Sequence, residues 1–194
     1  MDSLQVRRWT RGQYDKMVTA GVLSPDDRVE LINGEIIEVT PQGSAHATAI
    51  CLIQDALHAA LSGGCHIRCQ LPLAIDDASE PEPDIAVVAG AAREYCYQHP
   101  STALLLIEVS DSTLAFDREL KGSLYARAGI ADYWIVNLVE RCIEVYRDPV
   151  SGGGVLGWRY GIVKRFEEGE VVIPLLWVGG AVTVSEVMPW GKKL

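Results

Sequence analysis

The feature that most constrains how this chain can fold is a nearly continuous apolar segment, Ala103–Val109, in which Glu108 is the one charged residue. A short segment of this kind is typical of a strand buried on both faces of a central sheet. A carboxylate in such a strand requires a metal ion or a basic side chain as its partner, because burying an unpaired charge is costly. The segment therefore predicts a layered protein with a charged site at the end of its central strand.

Other segments supply neighbours for this strand. Alternation over Cys65–Ile75 predicts a strand, in which Pro72 indicates either a position near an edge or a bulge, and Tyr133–Leu138 predicts another buried strand. A shorter strand is expected at Asp84–Val88. Helical spacing of apolar residues occurs twice, at Ile50, Ile53, Leu57 and Leu61 and at Phe116, Leu120 and Leu124. Together these elements predict an α/β (α+β) fold with a mixed central sheet flanked by helices.

The two ends of the chain add smaller elements. Thr10 and Gln13 have the spacing of a helix capping box. The segment Arg28–Val39 is expected to form a hairpin, because Asn33-Gly34 is a preferred two-residue turn. Beyond Cys142 the sequence predicts a hairpin and further short strands.

Length and composition predict a single domain spanning residues 1–194, because 48% hydrophobic residues are ample for one core. No apolar stretch is long enough to span a membrane, and the N-terminus has no apolar signal region, so we expect no membrane association and a cytoplasmic location. Five cysteines without a CxxC pair argue against a disulfide framework or a zinc ribbon. A net charge of −9 argues against a non-specific nucleic-acid binder, which is usually basic.

Asp84 and Glu108 are the first candidates for chemistry, since they belong to consecutive predicted strands. Taken singly, Asp84 can be a turn residue after Pro83, and Glu108 can be half of a structural salt bridge. Taken together, they fit a carboxylate pair for Mg²⁺ or Mn²⁺, because hard cations prefer oxygen ligands.

The order of several short motifs resembles a known family. Pro83-Asp84 followed by Glu108-Val109-Ser110 resembles the PD-(D/E)XK nucleases, and the chain as a whole resembles the Uma-two family of restriction-endonuclease-like proteins, formerly a domain of unknown function. The segments that carry this resemblance are Val29–Glu35, Pro41–His46, Gln70–Leu73, Glu82–Ile85, Ile107–Ser110, Asp117–Lys121 and Tyr133–Val136. It implies a restriction-endonuclease-like core and a metal-dependent endonuclease.

One position departs from the wider nuclease pattern. Ser110 occupies the place of the usual lysine, two residues after Glu108. The resemblance implies that the lysine comes from the following helix, where Lys121 matches. Asp117 and Lys121 are four residues apart on one face of that helix, flanking the apolar stripe. The alternative is a solvated lysine paired with Asp117.

Three further residues are candidates for supporting roles. Glu30 is either a third acid of the site or a charge at a strand edge. His46 opens a helix, where it either contacts a phosphate or positions water, or is a satisfied core histidine. Gln70 either binds a metal-bound water or makes an inter-strand hydrogen bond.

The leading hypothesis is a Mg²⁺- or Mn²⁺-dependent endonuclease that hydrolyses DNA. Asp84, Glu108 and the backbone carbonyl of Val109 would hold the metal, and Lys121 would orient or deprotonate the attacking water. The alternatives are a catalytically weak or inactive nuclease-fold module with a binding or regulatory role, and a hydrolase of small phosphoesters. The oligomeric state stays open, although many such nucleases act as homodimers.

Overall fold

The computed structural model describes residues 6–24, 26–39, 41–61, 63–175 and 180–190. The N-terminal helix α1 (Arg11–Thr19) begins with the predicted capping box, in which Thr10 and Gln13 exchange side chain to backbone hydrogen bonds. Strands β1 (Val29–Ile32) and β2 (Glu35–Glu38) then form the predicted antiparallel hairpin. Its turn residues Asn33 and Gly34 both have positive φ, as a tight hairpin turn requires.

The centre of the molecule is a six-stranded mixed sheet, which confirms the predicted fold class. Its strands are β3 (Cys65–Cys69), β4 (Ile85–Ala89), β5 (Leu105–Ser110), β6 (Asp132–Asn137), β7 (Cys142–Ser151) and β8 (Trp158–Phe166), in that order across the sheet. Strands β5 and β6 are parallel, and every other neighbouring pair is antiparallel. Strand β5 is buried along its whole length, as its apolar sequence predicted.

Helical layers cover both faces of this sheet. Helix α2 (Ser44–Ala60) packs Ile50, Ile53 and Leu57 against one face. A small antiparallel pair, β9 (Val171–Val172) and β10 (Val182–Thr183), joins the same core, followed by a 3₁₀ turn at Val184–Glu186. No described helix has both the length and the apolar character needed to cross a bilayer.

The opposite face is covered by one irregular helix in three segments. These are α3 (Leu114–Phe116), a π-helical turn (Asp117–Lys121) and α4 (Gly122–Arg127). Leu124 and Tyr125 of α4 are fully buried against this face.

The predicted strand Cys65–Ile75 is wrong beyond Cys69. Gln70 adopts a positive φ of 49°, which ends the alternation. Its backbone N–H donates to the carbonyl oxygens of Pro83 and Asp84, each 3.2 Å from the nitrogen. The chain after Gln70 is irregular. The prediction that this strand lies at an edge is correct, because β3 is the first strand of the sheet.

The helix after β5 is not the regular α-helix that the spacing of Phe116, Leu120 and Leu124 predicted. Phe116 and Leu120 are only half-buried, whereas Asp117 and Lys121 are buried with exposed fractions of 3% and 5%. The cause is the π-helical turn, in which the amide of Gly122 donates to the carbonyl of Asp117 five residues earlier. A π turn contains an extra residue, so it changes which side chains face the sheet.

Candidate active site

Asp84 and Glu108 lie side by side at one end of the central strands. The antiparallel pairing of Ile85 with Ile107 makes Asp84 the next residue opposite Glu108, and opposed residues share a face. The amide of Val109 donates to Oδ2 of Asp84 at 2.8 Å, and the amide of Asp84 donates to Oε2 of Glu108 at 3.3 Å. Both carboxylates are buried. The structure therefore brings together the two acids that the sequence pattern paired.

Three side chains contact Oδ1, the other carboxylate oxygen of Asp84. Gln42 and Gln70 donate to Oδ1 from 3.2 and 3.3 Å, and Nε2 of His46 lies 3.1 Å from the same atom. Gln42 was not predicted from the sequence, although it lies within the Pro41–His46 segment that carries the family resemblance. His46 and Gln70 lie beside the acids, where a supporting role would place them.

Lys121 contacts the acids from the π-helical turn. Its Nζ lies 3.0 Å from Oε1 of Glu108 and 3.4 Å from Oε1 of Glu30. The alternative in which Lys121 is a solvated partner of Asp117 does not match this geometry, because the ammonium is buried between two other carboxylates. Asp117 instead accepts a hydrogen bond of 2.7 Å from Thr113.

Tyr125 is a neighbour of Glu108 that sequence reasoning missed. Its hydroxyl donates to Oε1 of Glu108 at 2.7 Å, so this oxygen receives both the phenol and the ammonium of Lys121. The spacing of four residues between Lys121 and Tyr125 is a signal that could have identified it, since such residues lie on one side of a helix.

Charge is unbalanced around this lysine. Burial raises the pKa of Glu108 to about 8, although Lys121 opposes the shift. Burial also raises the pKa of Glu30 and of Asp117, again against Lys121. Burial by itself lowers the pKa of Lys121, but the carboxylates of Glu108 and Glu30 outweigh it and hold the pKa above its ordinary value. Lys121 is therefore charged at neutral pH, and the acids exceed it in number.

The acids open into a cavity of about 900 Å³, whose lining includes ten acidic side chains and two basic ones, Arg28 and Lys121. Glu30 is among them, and no hydrogen bond from the described part of the chain reaches its buried Oε2. Excess buried carboxylate of this kind fits a bound cation.

The donor set suits Mg²⁺ or Mn²⁺. Across the described ranges no three His, Cys, Asp or Glu side chains are grouped to hold a metal, so a cage built wholly from side chains is not formed there. Mg²⁺ usually takes one or two carboxylates and keeps several waters. Asp84 and Glu108 match that requirement, and Val109 adjoins them.

The mixed sheet thus carries paired carboxylates and a buried lysine at the end of its central strands. The family model Uma2, described as "Putative restriction endonuclease", matches residues 12–184, and the chain belongs to this family. A crystal structure from Anabaena variabilis, described as a putative nuclease belonging to DUF820, has the same fold with a TM-score of 0.61 and 17% identity. The match covers 89% of this chain and 96% of that one. A search of curated proteins finds no match for the chain.

Proposed function

We propose that this protein is a metal-dependent endonuclease that hydrolyses phosphodiester bonds of DNA. The observation that carries the proposal is the row formed by Asp84, Glu108 and Lys121, in which two buried carboxylates and an ammonium converge at the end of adjacent strands. Membership of the family described as putative restriction endonucleases supports the substrate class.

Asp84 and Glu108 would hold Mg²⁺ or Mn²⁺, with the Val109 carbonyl as a further ligand. The metal, when bound, polarises the scissile phosphate and lowers the pKa of a bound water. Gln42, His46 and Gln70 fix the orientation of the Asp84 carboxylate, since all three contact Oδ1. Such neighbours hold a ligand in the geometry that the metal requires.

Lys121 supplies positive charge beside the metal position. Because its pKa is held above the ordinary value by Glu108 and Glu30, it is an ammonium at neutral pH and a poor proton acceptor. This favours a lysine that offsets charge developing on the phosphate and orients the attacking water by hydrogen bonding, rather than one that removes the proton. Tyr125 holds Glu108 from the other side.

The second candidate is a nuclease-fold module that binds without useful catalysis. The acidic lining of the cavity favours it, since a polyanion entering would meet ten carboxylates and two basic side chains. Divalent cations in the cavity would reduce this repulsion. The two candidates therefore differ in whether added metal leads to cleavage.

Nicking of supercoiled plasmid with and without Mg²⁺ or Mn²⁺ separates the two candidates. The endonuclease proposal expects nicked and linear products that require metal and disappear with a chelator. A small chromogenic phosphodiester, tested in parallel, distinguishes a hydrolase of small esters, which would cleave the small substrate and leave the plasmid intact. No metal-dependent cleavage of either substrate would support the binding module.

A further inference from the structure

A second charged group lies apart from the acids on the edge strand β3. Arg68 has an exposed fraction of 7%, and no ion pair with a carboxylate reaches it from the described ranges. Its Nη2 lies 3.3 Å from the carbonyl of Pro72 and 3.2 Å from Nδ1 of His99, while Nε is buried without a partner. Burial lowers its pKa, but an arginine stays charged in proteins. Cζ of Arg68 also lies 5.7 Å from the centre of the Tyr95 ring, a contact that stabilises a cation without neutralising it, so a counter-ion is still expected.

His99 completes the group as a hydrogen-bond donor. Burial, and then the positive charge of Arg68, lower the pKa of His99, so its ring is neutral at pH 7. Since Nδ1 accepts from Arg68, the proton of the neutral ring is on Nε2. His99 lies on the wall of the acidic cavity and also on that of a second cavity of about 710 Å³. It therefore lies at the boundary between the two cavities.

The position of Arg68 relates it to the acids. Arg68 pairs with Ala86 across β3 and β4, and Gln70, two residues further along the chain, contacts Asp84. Two residues of a strand span roughly 7 Å. The backbone of Arg68 thus belongs to the row of the sheet next to the row that contains Asp84 and Glu108.

We infer that Arg68 and His99 form an anion subsite that takes a phosphate group of the substrate adjacent to the one that is cut. Nε of Arg68 has no exposed surface, so the Nη groups are the ones that would donate to phosphate oxygens, and a neutral histidine can add a further donor. The anion subsite stands on the geometry of Arg68 and His99 alone. Its assignment to a nucleic-acid phosphate rests on the proposed function.

The first test uses inorganic phosphate without divalent metal, so it does not depend on the proposed metal site. Phosphate well above its dissociation constant should raise the Tm of the wild type by about 2–4 °C or more, at matched ionic strength. Arg68→Met should abolish this shift, and without phosphate it should melt no lower than the wild type, since it removes an unpaired buried charge. The control Arg159→Met, an exposed arginine on β8 at the far edge of the sheet, should shift like the wild type.

His99→Ala is a second test variant in case Arg68→Met does not fold. His99 is exposed, so its replacement should keep the fold while reducing the increase in Tm that phosphate causes. Equal shifts in the wild type, Arg68→Met and Arg159→Met, or no shift in any of them, would overturn the subsite.

The second test asks whether the phosphate belongs to DNA. The affinity for a short duplex falls with salt, and losing one phosphate contact should reduce the slope of log K against log salt by about 0.9. Arg68→Met should show this reduction and Arg159→Met should not. An unchanged slope in Arg68→Met would overturn the assignment to DNA. Loss of cleavage in Asp84→Ala with the phosphate shift intact would show that the two sites are separate.

Discussion

Lys121 is the residue on which the charge balance of the site depends. It is the buried ammonium that faces Glu108 and Glu30. Removing it leaves these carboxylates close together in a poorly solvated place, where like charges repel. A substitution of Lys121 consequently affects both the cleavage rate and the free energy of unfolding, and the two can be measured separately.

We expect Lys121→Ala to lower plasmid cleavage by about two or more orders of magnitude, the usual scale for losing a positioned charge stabiliser. The metal should still bind, because Asp84 and Glu108 remain. Lys121→Arg should rescue poorly, since a guanidinium is larger than the ammonium that sits 3.0 and 3.4 Å from its two partners. Cleavage rates of both variants measure this. Wild-type cleavage by Lys121→Ala would reduce Lys121 to a structural partner of Glu108.

The raised pKa of Glu108 predicts how metal-free stability depends on pH. Below about pH 4.5 this carboxyl is protonated in the folded and the unfolded chain alike. Between there and about pH 8 the folded state keeps a proton that the unfolded state has released, so the free energy of unfolding falls as pH rises. Above that range Glu108 adds no further change. Glu30 and Asp117 shift in the same direction.

Urea unfolding across this pH range, in a chelator, should therefore give a shallower decline for Glu108→Gln than for the wild type. Glu119→Gln, which replaces an exposed acid of the π-helical turn, should follow the wild-type curve. Identical curves for all three proteins would mean that Glu108 ionises in the folded state at its ordinary pKa.

Among individual residues, sequence reasoning could locate the acids but not everything that contacts them. Asp84 and Glu108 could be paired because each lies at a strand end, and strand neighbours meet across a sheet. Strand pairing could not identify Tyr125 or Gln42, since their contacts depend on how the helix and the loop dock, and the spacing from Lys121 is the one signal for Tyr125. A tyrosine in an apolar helix looks like any other core residue until its hydroxyl has a partner.

At the scale of elements, the β1–β2 hairpin positions Glu30, and its turn depends on Gly34. Gly34 has a φ of 80°, and a Cβ placed there would lie 2.8 Å from Cβ of Arg8. Gly34→Ala should lower the free energy of unfolding by about 1–3 kcal/mol, the usual cost of a strained left-handed residue. Gly12→Ala is a matched control, because a Cβ in that helix meets nothing within 4 Å. It should be neutral or slightly stabilising.

Urea unfolding of the two glycine variants checks this prediction. Equal stability of Gly34→Ala and Gly12→Ala would contradict the role given to the turn. Both the capping box and this hairpin could be predicted because their signals are local, residing in a few adjacent residues. The π-helical turn has no such signal. An apolar stripe at Phe116, Leu120 and Leu124 predicts a regular α-helix, and the extra residue that turns Lys121 inward is evident only once the helix is packed.

At the scale of the whole molecule, the net charge of −9 and the acidic cavity lead us to expect that a bound metal stabilises the folded state. Millimolar Mg²⁺ or Mn²⁺ should raise the Tm of the wild type, because a ligand of the native state stabilises it. Asp84→Ala and Glu108→Ala should lose this response, because each removes one of the two acids of the proposed metal site. Calorimetric titration of the metal gives the affinities, and unchanged affinity in either variant would remove that residue from the metal site.

The fold as a whole was more predictable than the chemistry. The buried strand at Leu105–Ser110 and its neighbours required a mixed sheet between helical layers, and the sheet has this form. Net charge was a weaker guide, because it does not reveal that acids concentrate around one cavity or that Arg68 is buried without a carboxylate. Those features depend on contacts between residues far apart in the sequence.

The most direct test of the central claim is plasmid nicking in Mg²⁺ by the wild type, Asp84→Ala and Asp55→Ala at equal protein concentration. Asp55 is an exposed acid of α2, so its replacement controls for the loss of one negative charge. We predict metal-dependent nicking by the wild type and Asp55→Ala and none above background by Asp84→Ala. Nicking by folded Asp84→Ala at the wild-type rate would contradict the assignment of the metal site to Asp84 and Glu108.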